Sequence, residues 1–327
     1  MQTRRLTPGK VRRLQTAASP AGVFRILAID HRGVLLRLMD REGRGHVSAH
    51  RVTQLKLDIL RQIGTLATAV ILDPQYSITQ AIAGGALPGN IGLLTPLESE
   101  RDAGSSPARD DNLLAESVRQ ACRIGASGVK LYLAYHPDAG DRTRAQEDLV
   151  RDAIRRCADE ALPLYLEPVA CSIDPHVPTH SVQFAHQRRR IAIQTVERLG
   201  ALGPDVLKLQ FPVDGHHEPN EAVWRAACAE LNDAAPVPWA LLSAGDPFDR
   251  FKTQLQIACE AGCSGFMAGR TVWSDAATAA ESERSAILED TIRPRMAELN
   301  QIANRYGHRW QERYPLAAID GEWSESC

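Results

Sequence analysis

The sequence lacks the features that direct a chain into a membrane, a disulfide framework or a complex with a polyanion. No stretch is long and apolar enough to span a bilayer, and the basic N-terminal end is not followed by the apolar run of a signal peptide. The formal net charge is only −2, so no strong field favours nucleic acid or an anionic membrane. The seven cysteines include no CxxC pair, which predicts free thiols in a reducing cytoplasm. With 44% hydrophobic and 24% charged residues, the composition is that of a soluble globular protein.

Several catalytic signatures are missing as well. The first apolar run leads into "AIDHRG", which is not a glycine-rich phosphate loop, and the GxSxG motif of a serine nucleophile does not occur. Six histidines fall in different predicted loops, and none of them shows HxxxH spacing with a carboxylate partner on one helix: His31, His136, His176, His180, His216 and His217. The sequence therefore predicts no catalytic metal.

What the chain does contain is a regular alternation of short apolar runs and longer stretches, most of which have helical periodicity. The runs are residues 26–30, 68–73, 90–95, 128–133, 162–168, 205–211, 237–245 and 265–270. Strand and helix alternating about eight times over roughly 250 residues predict a single-domain α/β fold, the (β/α)8 or TIM barrel. A doubly wound sheet is the alternative, but it would normally carry a phosphate loop after its first strand. We assign residues 1–305 to the barrel, with an N-terminal helix capping its bottom, and residues 306–327 to a C-terminal extension.

Charged residues lie at or near the ends of the predicted strands, where a barrel of this type carries its chemistry. The strand "DVLKLQF" is the clearest case, because its alternation puts Lys208 among buried positions. A lysine that reaches solvent from the strand end is the structural alternative. Four more charged side chains follow the same pattern: Asp30, Asp73, Lys130 and Glu167. Two lysines and at least two carboxylates would then converge in one barrel mouth. This arrangement indicates either a structural ion-pair network or a lysine nucleophile. In the second case, burial and the nearby second cation would favour the free amine of the nucleophilic lysine.

The last two strand ends indicate a phosphate site. "LLSAG" ends the seventh strand with Ser243 and Gly245, and "MAGR" ends the eighth with Gly269 and Arg270. In barrels, the loops after these two strands commonly bind phosphate through backbone N–H groups. An arginine there would add a charge-assisted, bidentate contact.

Seven motifs occur in an order that resembles one enzyme family. They are "LAIDHRG", "ILDPQYS", "GVKLYLAYHPD", "LYLEPV", "DVLKLQFPVD", "LLSAGDPFDRF" and "GFMAGRTVWSDA", spanning about residues 22 to 276. As an ordered set they resemble the class I tagatose-1,6-bisphosphate aldolases and the related sulfofructose-phosphate aldolases. One departure is His31, since family members of the tagatose type usually have glutamine there.

The resemblance implies a role for each matched residue. Lys208 corresponds to the Schiff-base lysine, Glu167 to the acid/base, Lys130 to the second active-site lysine and Asp30 to the aspartate after strand one. The matched substrate and phosphate positions are Ser243, Gly245, Gly269, Arg270, His31 and Arg32. The implied reaction is reversible, cofactor-free cleavage of a phosphorylated ketose to dihydroxyacetone phosphate and an aldehyde.

Three further expectations concern partners and alternatives. The partner is a small sugar phosphate, with neither nucleic acid nor membrane involved, and we expect a homo-oligomer. A non-covalent isomerase that uses Glu167 and a catalytically silent sugar-phosphate sensor remain alternatives on the same barrel. The sequence leaves open whether the distal group of the substrate is a phosphate, a sulfonate or a carboxylate.

Overall fold

A computed structural model describes residues 5–40, 47–98 and 111–314, except the side chains of residues 111–113. Eight parallel strands form a closed barrel in sequence order, with β1 paired to β8. The strands are β1 Phe24–Ala28, β2 Ala69–Ile71, β3 Gly92–Pro96, β4 Gly128–Tyr135, β5 Leu164–Ala170, β6 Val206–Leu209, β7 Trp239–Leu242 and β8 Gly265–Ala268. The predicted barrel is therefore confirmed, and all eight predicted strands are present with small shifts at their ends. The largest shift is in β7, which ends at residue 242 instead of 245.

Helices cover the outside of the barrel and follow each strand. They are α1 Pro8–Ala17, α2 Gly33–Met39, α3 Ala49–Ile63, α4 Ile78–Ala83, α5 Asp111–Arg123, α6 Asp141–Asp159, α7 Val182–Leu202, α8 Glu221–Ala234, α9 Phe248–Glu260, α10 Arg270–Thr278, α11 Glu281–Ile287 and α12 Arg293–Tyr306. Local sequence explains several of their ends. Ser181 accepts a hydrogen bond from the Phe184 N–H at the start of α7, and Gly203 ends that helix in the left-handed region with φ of 90°.

Both ends of the described chain pack beneath the N-terminal ends of the strands. On α1, Lys10 makes a buried 2.7 Å ion pair with Asp205, which directly precedes β6. Past α12, the Trp310 N–H donates to the Gly22 carbonyl at 3.0 Å, and the Tyr314 hydroxyl donates to the Asp205 carbonyl at 2.8 Å. Residues 307–314, which we assigned to an extension, are thus part of the barrel floor, whereas residues 315–327 lie outside the described residues.

The register of β4 and β5 aligns the residues that face the interior. Lys130 lies opposite Tyr165, and Tyr132 lies opposite Glu167. Between strands β6 and β7, Lys208 lies opposite Ala240, whose small side chain leaves room for the lysine stem. Within the described residues, no helix has both the length and the apolar character needed to cross a membrane.

Candidate active site

Lys130 is the centre of a buried ion cluster in the barrel mouth. Its ammonium nitrogen lies 2.8 Å from Asp30 Oδ2 and 3.2 Å from Glu167 Oε2, and it also contacts Glu98 Oε1. Asp30 comes from the loop after β1, Glu98 from the loop after β3 and Glu167 from β5 itself. Four parts of the chain that are distant in sequence therefore meet at one side chain.

Lys208 joins this cluster through Glu167. Its Nζ lies 2.8 Å from Glu167 Oε1, so that one carboxylate bridges the two lysines with its two oxygens. Both lysine side chains are 5% exposed. The sequence-based alternative in which Lys208 reaches solvent is therefore wrong, because the alternation of β6 points the side chain into the barrel.

The charges in the cluster stabilise one another. Burial alone would lower the pKa of Lys130, but its carboxylate neighbours, Asp30 foremost, outweigh burial and raise that pKa well above the ordinary value. Burial alone would raise the pKa of Glu167, but the ammonium groups of Lys208 and Lys130 hold it below its ordinary value. The same balance, dominated after burial by Lys130, holds the pKa of Asp30 far below its usual range. Lys130 is thus ammonium, and Asp30 and Glu167 are carboxylates, at neutral pH.

Glu98 is a residue of the cluster that sequence reasoning missed. Its Oε2 accepts the Tyr132 N–H at 3.2 Å, and burial raises the pKa of its carboxyl even though Lys130 opposes the shift. A signal was present in the sequence, since Glu98 lies two residues beyond the end of β3, just as Asp30 lies two residues beyond the end of β1. The cluster therefore contains two lysines, Lys130 and Lys208, and the carboxyl groups of Asp30, Glu98 and Glu167.

His31 lies between the ion cluster and the end of β8. Its ring meets Trp273 edge to face, with 5.3 Å between centroids, and a Cβ on Gly269 would approach its Cε1 to 3.0 Å. The Nδ1 atom is buried, lies 3.8 Å from Asp30 Oδ1 and has no hydrogen-bond partner among the described residues. Burial is the main cause that lowers the pKa of His31 to about 4. The imidazole is therefore neutral at physiological pH.

The four residues expected to bind phosphate lie next to one another. The Gly269 N–H donates to Ser243 Oγ at 3.2 Å, and Arg270 donates to the Ala244 carbonyl at 2.8 Å. The Arg270 guanidinium also lies on Gly245, because a Cβ at that glycine would come within 3.2 Å of its Cζ. The ends of β7 and β8 thus form one small-residue surface with a cation beside it.

Two other charged residues point elsewhere. Arg32 donates to the Glu98 carbonyl at 3.1 Å and so extends toward the loop after β3, not toward the Ser243–Gly245 turn after β7. Asp73 pairs with Lys56 of α3, with both side chains fully buried, and also accepts the Ser77 hydroxyl at 2.8 Å. Asp73 is therefore a structural ion-pair residue, and the carboxylates that contact Lys130 among the described residues are Asp30, Glu98 and Glu167.

Metal coordination gains no support from the part of the chain that the structure describes. It contains no group of three or more His, Cys, Asp or Glu side chains arranged to hold an ion. The carboxylates of Asp30 and Glu167 instead contact the ammonium group of Lys130.

Comparison with known proteins agrees with this architecture. The DeoC/LacD family aldolase profile matches residues 24–275. The tagatose 1,6-diphosphate aldolase of Streptococcus agalactiae serotype V is 27% identical over 94% of this chain and 99% of its own length. That of Staphylococcus aureus strain JH9 is 26% identical over 93% and 98%.

Solved structures show the same fold at lower identity. A Schiff base-forming fructose-1,6-bisphosphate aldolase superposes with a TM-score of 0.56 at 19% identity, covering 91% of this chain and 99% of that chain. The fructose-bisphosphate aldolase of Slackia heliotrinireducens gives a TM-score of 0.60 at 14% identity, covering 96% and 93%. Because the family profile matches most of the barrel, the chain belongs to the DeoC/LacD family of aldolases, which are carbon–carbon lyases.

Proposed function

We propose that the protein is a class I aldolase that reversibly cleaves a phosphorylated ketose, such as tagatose 1,6-bisphosphate, to dihydroxyacetone phosphate and an aldehyde. One observation carries the proposal: Lys208 lies 2.8 Å from one oxygen of the Glu167 carboxylate, and the other oxygen lies 3.2 Å from Lys130. A nucleophilic amine needs a neighbour that can take up and return its proton, and Glu167 is that neighbour. The curated relatives named as tagatose 1,6-diphosphate aldolases support the substrate class.

The covalent step begins when Lys208 passes a proton to Glu167 and its free amine attacks the ketone carbon. Glu167 returns that proton to the carbonyl oxygen, and a second proton from the attached nitrogen reaches the same oxygen through Glu167. The carbinolamine thereby loses water, which leaves an iminium ion and restores the Glu167 carboxylate. Lys130 stays on the other oxygen of Glu167 and keeps that carboxylate oriented.

Cleavage requires a base and an electron sink. Glu167 removes the proton from the hydroxyl on the carbon beyond the bond to be broken, so that an aldehyde forms there. The electron pair of the carbon–carbon bond moves toward the iminium carbon and gives an enamine. Protonation of the enamine carbon and hydrolysis of the iminium then release dihydroxyacetone phosphate and restore the Lys208 amine.

The substrate is held at its phosphate by the ends of β7 and β8. Ser243, Gly245 and Gly269 offer a hydroxyl and closely approachable backbone, and Arg270 supplies the positive charge. His31 lies between this surface and Asp30, and we assign it to the hydroxyl groups of the substrate. A neutral imidazole suits that role, since it offers one donor and one acceptor.

The test is trapping with dihydroxyacetone phosphate and borohydride, followed by peptide mapping. We expect the reduced triose on Lys208 and no adduct in a Lys208→Arg variant, since arginine has no amine that can be deprotonated in a protein. An adduct on Lys130 would reverse the roles of the two lysines.

Absence of any adduct would sink the Schiff-base mechanism. Interconversion of sugar phosphates without an adduct would favour an isomerase.

We also propose that the reaction needs no metal, so activity should survive dialysis against EDTA. Loss of activity that added zinc restores would contradict this part of the proposal.

A further inference from the structure

The turn that follows β7 has an unusual backbone. Residues Ser243 to Asp246 form a four-residue turn closed by a 2.9 Å hydrogen bond from the Asp246 N–H to the Ser243 carbonyl. Its two central residues both have positive φ, 51° at Ala244 and 87° at Gly245. Glycine adopts this conformation freely, whereas the Cβ of alanine makes it strained. A strained alanine persists only where the surrounding structure holds it.

The turn leaves two donors unused. Neither the Ala244 N–H nor the Gly245 N–H donates a hydrogen bond within the described part of the chain. Both belong to the surface to which we assigned the phosphate, beside Arg270, whose guanidinium fixes the Ala244 carbonyl at 2.8 Å. Successive backbone N–H groups in such a turn are suited to an anion.

Asp246 is the residue of the turn that contacts both α9 and α10. Its carbonyl accepts the Thr271 hydroxyl at 2.7 Å, and its Oδ2 accepts Gln254 Nε2 at 2.9 Å. The Thr271 hydroxyl also lies 3.3 Å from the Ser243 carbonyl, so it reaches both ends of the turn. Thr271 and Gln254 are buried, with 5% and 2% exposure, and they come from α10 and α9.

We propose that Thr271 and Gln254 are positioning residues that hold Asp246, and through it keep the Ala244 and Gly245 N–H groups directed at the substrate phosphate. This inference rests on the proposed phosphate site. It assigns roles to three residues outside the ion cluster, none of which touches the reacting carbon. It also explains why an alanine is kept in a left-handed conformation at this turn, since Gln254 of α9 and both Arg270 and Thr271 of α10 restrain it.

The first test compares Thr271→Val with Thr271→Ser. Valine keeps the shape of threonine but removes the hydroxyl, whereas serine keeps the donor. The readout is the concentration for half-maximal borohydride trapping of dihydroxyacetone phosphate, measured beside unphosphorylated dihydroxyacetone. We expect Thr271→Val to raise the half-maximal concentration of dihydroxyacetone phosphate about fivefold to tenfold, which corresponds to the loss of one hydrogen bond. The half-maximal concentration of unphosphorylated dihydroxyacetone should not change. Thr271→Ser should behave as wild type.

A second pair keeps the inference testable if the buried valine prevents folding. Asp246 is 23% exposed, so substitution there should be tolerated. Asp246→Ala removes the acceptor for Gln254, whereas Asp246→Asn retains one, so only the alanine variant should show the selective loss for the phosphate ester. Equal losses for both trioses, or identical behaviour of the alanine and asparagine variants, would overturn the inference. Failure of wild type to form any adduct would instead overturn the proposed function.

Discussion

Lys130 illustrates how the neighbours of a side chain decide what its charge can do. From sequence, Lys130 was expected to act on Lys208 as a nearby cation. In the structure it is surrounded by Asp30, Glu98 and Glu167, so its positive charge is more than balanced within 3.2 Å. We therefore propose that Lys130 assembles and orients the carboxylates, Glu167 above all.

A comparison of two glutamates tests this division of roles. We expect Glu167→Gln to lower kcat about 100-fold or more, because it removes the proton acceptor of Lys208. Glu98→Gln should lower kcat less than about tenfold, because an amide oxygen can still accept the Tyr132 N–H and the carboxyl it replaces has a raised pKa. Steady-state kinetics of both variants give the answer. Losses of equal size would mean that Glu98 takes part in proton transfer.

His31 should make the stability of the protein dependent on pH. Its pKa is about 4 in the folded protein and about 6.5 in an unfolded chain, so between these values the unfolded chain binds the proton more readily. The contribution of the neutral His31 to the free energy of unfolding is thus fully present above pH 6.5 and is lost as the pH falls toward 4. We expect wild type to lose on the order of 1–2 kcal/mol more unfolding free energy than His31→Gln between pH 7 and pH 5.

Urea denaturation of the two proteins at both pH values measures this difference. The carboxylates are common to both, so their contributions largely cancel in the comparison. Equal losses would show that the histidine is as easily protonated in the folded protein as in the unfolded chain.

At the scale of elements, the closure of the barrel depends on the β1–β8 pair. Gly265 begins β8 with φ of 117°, and a Cβ there would collide with the Phe24 carbonyl of β1. The adjacent Phe24 N–H donates to the Ser264 carbonyl at 2.8 Å, so the two strands have little freedom to separate. The position requires glycine for both its backbone conformation and its close approach to β1.

We expect Gly265→Ala to destabilise the protein by about 3 kcal/mol or more, because strain and a backbone collision add together. Gly89→Ala is the matched control, since φ is not positive there and a Cβ would meet nothing within 4 Å. Thermal unfolding of both variants checks the prediction. A small shift for Gly265→Ala would mean that β1 and β8 can move apart without loss of the barrel.

At the scale of the whole molecule, the two ends of the barrel have separate tasks. The mouth contains the ion cluster and the proposed phosphate surface, whereas the floor is closed by α1 and residues 307–314. Lys10 and Asp205 are the charged centre of the floor, with side chains only 4% and 1% exposed. Separation of this kind allows loops at the mouth to change without loss of the fold.

Lys10→Met should therefore affect stability and not chemistry. Removing one partner of a buried pair typically costs about 3–5 kcal/mol, since Asp205 would remain as a buried charge. Arg12→Met, on the exposed side of the same helix, is the control and should change little. We expect the lower melting temperature only in Lys10→Met, and triose trapping on Lys208 in both. Loss of trapping in a folded Lys10→Met protein would show that floor and mouth are coupled.

The sequence by itself determined the barrel, the order of its strands and the inward direction of Lys130, Glu167 and Lys208. These features follow from local periodicity, because alternate residues of a strand face opposite sides and regular strand–helix alternation leaves few topologies. Asp30 was found by the same reasoning at a strand end.

Only the tertiary structure decided which charges meet. Glu98 reaches Lys130 from the loop after the neighbouring strand β3, Asp73 pairs with Lys56 of α3, and Arg32 turns toward the loop after β3. Each of these pairings depends on the path of a loop or the rotation of a helix, and hydrophobic periodicity specifies neither. The strained Ala244 turn is of the same kind, because its conformation is imposed by Arg270, Thr271 and Gln254 from elements outside the turn itself.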